Sequence, residues 1–198
     1  MTLNFEQARD YAITRLENEL SPLLTYHSIY HTVKEVVPAA DYLAGLENVA
    51  GENRLLLLTA AYYHDLGFIR QRPGHEALSI EFAKETLPIY GYSESQIEIV
   101  CGIIRATRIP QSPTNQMEMI MADADLDYLG QENFHERSRD LRKELENFGT
   151  KFSDQEWYRY QIQFIQAHRY FTASARSTRE VLKQQHLAEI KKQFALSE

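Results

Sequence analysis

The residues of this chain best suited to chemistry are histidines and aspartates in three separate segments. His64 and Asp65 stand side by side at the end of the apolar run LLLLTAAYYHDLG. Two histidines precede this pair and two aspartates follow it: His27, His31, Asp123 and Asp125. Imidazole and carboxylate donors together suit Mn²⁺, Fe²⁺, Co²⁺, Ni²⁺ or Zn²⁺ better than Ca²⁺. The sequence therefore predicts a hydrolase in which a divalent metal ion activates water.

Helix geometry limits which of these side chains can face one ion. His64 and Asp65 would point about 100° apart on a helix, and both can reach an ion that sits at the helix end. Asp123 and Asp125 would diverge by about 200°, so only one of them can face the same site. A buried carboxylate beside His64 would be costly without a cationic partner, and a divalent ion is such a partner.

The composition is that of an ordinary globular protein. The chain has 198 residues, of which 43% are hydrophobic and 25% charged. The net charge of −7 argues against a general nucleic-acid binder. Cys101 is the single cysteine, so no intramolecular disulfide can form, and we expect it to be a packed thiol. The N-terminal residues do not resemble a signal peptide and no apolar run could span a membrane, so we expect a cytoplasmic protein with no membrane partner.

Apolar residues recur at three- and four-residue spacing almost throughout, which predicts an all-α fold. Two Ser-x-x-Gln/Glu patterns, at Ser93 and Ser153, match capping boxes that begin helices. The predicted helices cover about 4–20, a segment from His31 that ends before Gly45, about 52–64, a segment through Leu78, Phe82 and Leu87, about 93–104, about 116–129, about 134–148 and about 153–194.

The chain is predicted to be one domain, 1–198, because neither a linker nor an internal repeat divides it. The metal-site core would cover about 26–130, and a helical extension would cover about 131–198. This extension could pack on the core or form a homodimer interface, and both alternatives are open. We expect its aromatic residues Trp157, Tyr158, Tyr160 and Phe164 to form core or interface rather than a surface for stacking bases.

The ordered set His31, His64–Asp65 and Asp125 resembles the H…HD…D pattern of the HD-domain phosphohydrolase superfamily. The segments YHSIYHTVKEVV, AAYYHDLG and ADADLDYLG are similar to the three motifs of that family. The resemblance covers roughly residues 26–130 and implies an HD-domain-like helical bundle. It also implies that the four residues bind a divalent transition metal ion, or Mg²⁺, with Asp123 as the alternative to Asp125. Asp65, with His64, would then be catalytic and would orient the water or take its proton.

Two departures from the family pattern bear on function. Many members carry a lysine where this chain has Phe68, and many carry a further histidine where this chain reads IIRATR, with Thr107. The second departure favours one metal ion over two. The first leaves a non-catalytic, ligand-binding or regulatory module as the alternative to an enzyme. An iron-dependent oxygenase would need more histidine ligands than the sequence offers.

The resemblance implies a phosphate ester as substrate, such as a nucleotide, a cyclic nucleotide or a guanosine polyphosphate. Because Phe68 carries no charge, another cation must meet the phosphate. Lys34 follows His31 by three residues and would share nearly the same helix face. Arginines in the flanking segments and the two remaining nearby histidines complete the set. The predicted substrate contacts are Lys34, Arg72, Arg105, His27 and His75.

Overall fold

The computed structural model describes residues 3–196, and every regular element among them is helical. The first half contains α1 (Phe5–Glu19), a π-helical segment (His31–Val36), α2 (Val37–Leu46), α3 (Gly51–Tyr63), a 3₁₀ turn (Leu66–Ile69), α4 (His75–Thr86) and a 3₁₀ turn (Leu87–Tyr90). The second half contains α5 (Glu94–Arg105), α6 (Gln116–Asp125), a 3₁₀ turn (Asp127–Gly130), α7 (Phe134–Asn147), α8 (Asp154–Ala167) and α9 (Ala173–Leu196). The described part contains no strand, which confirms the all-α prediction. The first two and last two residues of the predicted domain lie outside the described residues.

Both predicted capping boxes begin helices. Ser93 Oγ accepts a hydrogen bond from the backbone N–H of Gln96 (3.3 Å), whose side chain accepts from the Ser93 N–H (2.8 Å). Ser153 and Glu156 form the same reciprocal pair, at 3.3 and 2.8 Å. These bonds satisfy N–H groups that have no partner within the helix, so α5 and α8 begin where the sequence predicts.

The second predicted helix does not end before Gly45. It begins as a π-helical segment and continues through α2 to Leu46. A Cβ atom at Gly45 would meet nothing within 4 Å, so a glycine is not required there. Asn48, with φ of 58°, takes the left-handed conformation that follows many helices. The local stop signal is therefore the asparagine.

The predicted helix over about 116–129 is shorter than expected. It ends at Asp125, and a 3₁₀ turn follows. Gly130 closes this turn against α9, where a Cβ atom would lie 2.5 Å from the carbonyl oxygen of Arg179. The glycine is needed for this close approach, and it is not a helix stop in its own right.

The long helical segment predicted over 153–194 is two helices. The chain leaves helical geometry at residues 168–172, between α8 and α9. These residues, HRYFT, contain neither proline nor glycine, so the sequence carries no stop signal at the break. The turn lets α8 and α9 pack against each other beside the end of α6.

Two apolar clusters hold the helices together. The larger lies among α1 to α6 and includes Leu56, Leu57 and Cys101, all fully buried, so the packed-thiol prediction is confirmed. The smaller joins the end of α6 to the C-terminal helices through Leu129, Phe134 and others. None of the described helices combines the length and the apolarity that crossing a membrane requires.

Candidate metal centre and adjoining cavity

Three elements bring histidine and carboxylate side chains to one buried point. His31 begins the π-helical segment, His64 and Asp65 follow α3, and Asp125 is the last residue of α6. Donor atoms of His31, His64 and Asp65 all lie within 4.8 Å of one another. Asp125 is not in that group of three, but its Oδ1 is 3.3 Å from His31 Nε2 and 3.5 Å from His64 Nε2. The structure thus brings the four predicted ligands together.

Each imidazole of this cluster has one ring nitrogen engaged elsewhere. His64 Nδ1–H donates to the carbonyl oxygen of Ala61 (2.8 Å). His31 Nδ1–H donates to the carboxylate of Glu35 (3.1 Å). Both rings therefore turn the lone pair of Nε2 towards the cluster, which is the arrangement that metal-binding histidines adopt.

The cluster has the properties that a cation would satisfy. His64 Nε2 and Asp65 Oδ2 are buried, lie 3.2 Å apart and have no hydrogen-bond partner among the described residues. When His64 is neutral, these are two acceptor atoms facing each other inside the protein, which is costly unless a positive charge, from a proton or a metal ion, lies between them. Nitrogen and oxygen donors in this combination fit a divalent transition metal ion. The residues present therefore fit a metal ion.

The pKa shifts in the cluster show how strongly it favours positive charge. Burial alone would lower the pKa of His64, but the carboxylates of Asp65 and Asp125 raise it well above its usual value. Burial would raise the pKa of Asp65, yet the neighbouring His64 holds it well below its usual range. The pKa of Asp125 is likewise held below its usual range despite burial, by hydrogen bonds to His31 and His64. Protons and a metal ion would compete for the same nitrogen atoms.

A glycine brings His75 beside this cluster. The sequence suggests that Gly67 follows the end of a helix, and the structure places it in the 3₁₀ turn after Asp65. A Cβ atom at Gly67 would collide with the backbone of His75, the first residue of α4. Only glycine permits this approach, which sets His75 Nε2 3.5 Å from Asp65 Oδ1.

Side chains at the start of α7 hold Glu35, the carboxylate that accepts the hydrogen bond from His31. Glu35 accepts hydrogen bonds from Arg137 Nε (2.9 Å) and from Asn133 Nδ2 (3.0 Å). Arg137 is buried and also donates to the carbonyl oxygen of Tyr26 (2.8 Å). Glu35 and Arg137 were not predicted as site residues, because charged side chains on helices usually face solvent. The available signal was the spacing of Phe134 and Leu141, because Arg137 lies one helical turn from each on the same apolar face.

The two aspartates of α6 face different surroundings, as their spacing requires. Asp125 points into the histidine cluster. Asp123 is fully buried and accepts hydrogen bonds from the backbone N–H groups of Phe171 and Thr172 and from Thr172 Oγ1, each at 2.8 Å. Asp123 therefore holds the turn between α8 and α9, and only Asp125 is placed to contact an ion at the cluster.

A cavity of about 310 Å³ lies over Asp65 and Asp125. Three of the predicted substrate contacts line it: His27, Arg72 and His75. The ring of Phe68, which stands at the family's lysine position, stacks between His27 (4.3 Å between centroids) and His75 (3.9 Å). Phe68 thus orients two histidines at the cavity wall. His27 also contacts Glu144 Oε1 through Nδ1 (2.6 Å).

Arg72 lines the cavity and has a hydrogen-bond donor that no described residue uses. Its Nε is buried without a hydrogen-bond partner among the described residues. Its guanidinium lies over the ring of Phe148 and forms an ion pair with buried Glu144, in which Nη2 is 3.8 Å from Oε1. Such a group can donate two parallel hydrogen bonds to a phosphate.

Lys34 and Arg105, which are also predicted substrate contacts, do not line this cavity. Both side chains are exposed. The prediction for Lys34 assumed α-helical spacing after His31. In the wider π-helical turn the residue four positions along, Glu35, meets His31 instead. Arg105 lies on the outer face of α5.

Aromatic residues of α8 line the far side of the same cavity. The prediction that they form core agrees with the burial of Trp157 and with the packing of Phe164 against the smaller apolar cluster. Trp157, Tyr160 and Phe164 of α8 are all part of its wall. Tyr160 stacks on Trp157 (5.4 Å, 19° between planes) and on Phe164 (6.4 Å, 16°). Tyr158 lies outside the wall and packs with the smaller apolar cluster.

The family model of the HD domain matches residues 33–143, more than half of the chain. The chain therefore belongs to the HD domain family, a superfamily of metal-dependent phosphohydrolases. The matched segment contains His64, Asp65 and Asp125, and His31 lies two residues before it.

Two individual proteins are similar to this chain. An uncharacterised protein of Clostridium beijerinckii is 34% identical over 98 residues, which cover 47% of this chain and 62% of that relative. The crystal structure of Bacillus subtilis YpgQ in complex with ADP superposes with a TM-score of 0.64 at 20% sequence identity, covering 96% of this chain and 97% of that one. At this identity the likeness to YpgQ shows a shared fold.

Proposed function

We propose that this protein is a phosphohydrolase that uses one divalent metal ion, bound by His31, His64, Asp65 and Asp125, to cleave a phosphate ester. The observation that carries the proposal is the buried, unpartnered pair His64 Nε2 and Asp65 Oδ2, 3.2 Å apart. An ion between these atoms would satisfy both. Four protein donors leave coordination positions for water and substrate on a transition metal ion or on Mg²⁺.

We propose that the site holds one metal ion rather than two. Thr107 stands where a further histidine would be expected for a second ion. It lines the cavity, but its hydroxyl donates to the carbonyl oxygen of Ile104 (2.9 Å). His75, at 3.5 Å from Asp65, is then a substrate contact rather than a ligand.

The bound ion would supply a water of lowered pKa and polarise a phosphoryl oxygen. The chain's own residues would position the water and bind the phosphate. Asp65 would orient the attacking water or take its proton, and His64, fixed by its hydrogen bond to the carbonyl oxygen of Ala61, would stay in position as a ligand. Arg72 donates to the phosphate oxygens from the cavity wall. His27 and His75, held by Phe68 between them, contact the same phosphate.

A nucleotide or cyclic nucleotide is the substrate that we propose. The similar fold of Bacillus subtilis YpgQ was crystallised with ADP. The cavity here, about 310 Å³, has the size of a small-molecule site, roughly 300–1,000 Å³. A non-catalytic, ligand-binding module is the second candidate, and the uncharged Phe68 at the family's lysine position favours it.

A panel of phosphate esters separates these two functions. We expect hydrolysis of at least one nucleotide by the full chain in the presence of Mn²⁺, Mg²⁺, Co²⁺ or Ni²⁺, and none after removal of the ion with chelator. The measurement is released phosphate, diphosphate or nucleoside. Binding of nucleotides without turnover under every metal would establish the non-catalytic module instead.

Replacing Arg72 tests the proposed phosphate contact. We expect Arg72→Ala to lower kcat/KM by about ten- to a hundredfold, because a charge-assisted hydrogen bond contributes roughly 1.5–3 kcal/mol. Metal content should not change, since Arg72 lies on the cavity wall and outside the ligand cluster. Lys34→Ala and Arg105→Ala, which remove exposed charges away from the cavity, are the matched controls. A loss in either control equal to that in Arg72→Ala would contradict this assignment.

A further inference from the structure

A second cleft, of about 540 Å³, lies between α8 and α9. Residues of α9 that recur at three- and four-residue spacing, from Arg176 to Lys191, form one side of it. The end of α8 and the turn after it form the other side. Ile165 is the one described residue that this cleft shares with the cavity beside the metal centre. The two sites are therefore separate, and no proposed metal ligand or phosphate contact lies in the described lining of the second.

The α8–α9 cleft is rich in positive charge, although the chain as a whole carries a net charge of −7. Its lining contains four cationic side chains and one carboxylate: Arg169, Arg176, Lys183, Lys191 and Glu180. Glu180 Oε2 lies 3.0 Å from Lys183 Nζ and so offsets one of the positive charges. Arg169, Arg176 and Lys191 form no ion pair with a described residue. Three positive charges of this cleft are therefore left without a carboxylate partner.

Lys183 fixes a positive charge within the wall of the cleft. Only 1% of this residue is exposed, which is rare for a lysine. Its ammonium group donates to Glu180 and to the carbonyl oxygen of His168 (3.2 Å), and it lies 4.9 Å from the centre of the Tyr170 ring. Burial, followed by the charge of Lys183, lowers the pKa of His168 to about 4, so this imidazole is neutral near pH 7. Because a buried charge is screened less than an exposed one, Lys183 adds to the positive potential of the cleft.

The turn between α8 and α9 holds the guanidinium group of Arg176. Arg176 Nη1 donates to the carbonyl oxygens of Phe171 (2.6 Å) and Tyr170 (3.3 Å). The turn is itself fixed by Asp123, which accepts from the backbone N–H of Phe171. The other N–H groups of Arg176 donate to no described residue. A guanidinium group that is held in place and has free donors loses little conformational freedom when it binds an anion.

The positions of the cations indicate an extended anion rather than a single phosphate. Arg176 and Lys191 are fifteen residues apart on α9, so their Cα atoms lie about 22 Å apart along the helix, with Lys183 between them. A linear chain of phosphates spreads its negative charge along such a cleft. A nucleobase would find no open ring on Tyr170, which is 2% exposed and contacts Lys183 and His168.

We infer that the α8–α9 cleft is a second binding site, separate from the metal centre, for a linear oligophosphate anion. Arg169 and Arg176 donate charge-assisted hydrogen bonds to phosphate oxygens, and Lys183 and Lys191 add positive potential along the chain of phosphates. Binding at this cleft needs neither the metal ion nor hydrolysis. Its test is therefore independent of the proposed function.

Titration calorimetry with inorganic tripolyphosphate tests the site. The parent protein is the full chain carrying Arg72→Ala, in chelator, so that neither a metal ion nor the proposed phosphate contact of the cavity takes part. At low ionic strength we expect saturable binding, which weakens as salt is added because the exposed cations are screened. Orthophosphate engages fewer of the cations at once and should bind at least about tenfold more weakly.

Variants of this parent locate the contact. Arg169→Ala combined with Lys191→Ala should weaken tripolyphosphate binding by about tenfold, because two charge-assisted contacts are lost. Lys34→Ala combined with Arg105→Ala removes the same number of exposed charges outside the cleft and should bind as the parent does. Glu180→Gln keeps the shape of the side chain but removes the carboxylate from the cleft. It should tighten binding about three- to tenfold, because a negative charge no longer repels the ligand.

Three results would overturn the inference. The first is the absence of saturable tripolyphosphate binding by the parent at low ionic strength. The second is a loss in Arg169→Ala/Lys191→Ala no larger than that in Lys34→Ala/Arg105→Ala, which would show that only the overall charge of the protein matters. The third is tighter binding of ATP than of tripolyphosphate that Arg169→Ala/Lys191→Ala abolishes, because the cleft would then recognise a nucleoside. Failure of the proposed function looks different, since tripolyphosphate would still bind while no ester is hydrolysed.

Discussion

Asp65→Ala should abolish hydrolysis in a protein that keeps its helices. The variant removes one predicted metal ligand and the carboxylate proposed to orient water. Because a metal ion contributes several kcal/mol to stabilising the charge of a phosphoryl transition state, kcat should fall by at least about a thousandfold. Metal content should fall in parallel. His64→Ala is expected to behave in the same way.

The fold should survive these substitutions because the core is independent of the cluster. Leu56 and Leu57 are fully buried in α3 and pack within the larger apolar cluster. Circular dichroism measures the outcome, and Asp41→Ala, at an exposed ion pair with Arg54, is the control for loss of a carboxylate. Loss of the helical signal in Asp65→Ala at room temperature would show that the ion is structural. Full activity in that variant would remove Asp65 from the site.

The two aspartates of α6 should give opposite phenotypes when each is replaced. Asp125→Ala should lose the ion and at least about a thousandfold in kcat, for the reason given for Asp65. Measured without added metal ion, its free energy of unfolding should fall less than that of Asp123→Ala, because its carboxylate contacts the histidine cluster rather than the backbone. Asp123→Ala should retain its metal but lower the free energy of unfolding by about 2–4 kcal/mol, since two backbone N–H groups and a hydroxyl lose a buried, charged acceptor.

Thermal unfolding and metal analysis of the two variants check this pair. For a chain of this size, a loss of 2–4 kcal/mol corresponds to a fall in Tm of roughly 5–15 °C. Asp123→Ala should show that fall in Tm with about one equivalent of metal per chain. Asp125→Ala should show a smaller change in Tm and no bound metal. If Asp123→Ala lost the metal while Asp125→Ala kept it, the assignment of the two residues would be wrong.

The ligand cluster was predictable because each member has a local signature. His64 and Asp65 follow an apolar run, and the spacing of Asp123 and Asp125 requires that only one of them face the site. The resemblance to HD motifs then distinguished Asp125 from Asp123, and the structure separates the two residues in that way. Side-chain types and helix geometry supplied the candidates, and the resemblance to the family supplied the choice among them.

The surroundings of the cluster were less predictable because they depend on packing between distant segments. Glu144 contacts His27, which is 117 residues away in the sequence, and no local sequence pattern at either residue predicts the contact. The sequence does not distinguish this short π-helical segment from an α-helix, so Lys34 was expected on the face that Glu35 occupies. The aromatic residues of α8 show the same spacing whether they face a core or a cavity, and only the packing of α8 beside α7 decides between the two.

The most direct test of the metal site is an anomalous difference map from a crystal of the full chain grown with Mn²⁺. The predicted result is one peak per chain within roughly 2.0–2.3 Å of His31 Nε2, His64 Nε2 and carboxylate oxygens of Asp65 and Asp125. A peak elsewhere, or a cluster that stays empty while the protein hydrolyses its substrate in the same Mn²⁺ solution, would contradict the metal site described above.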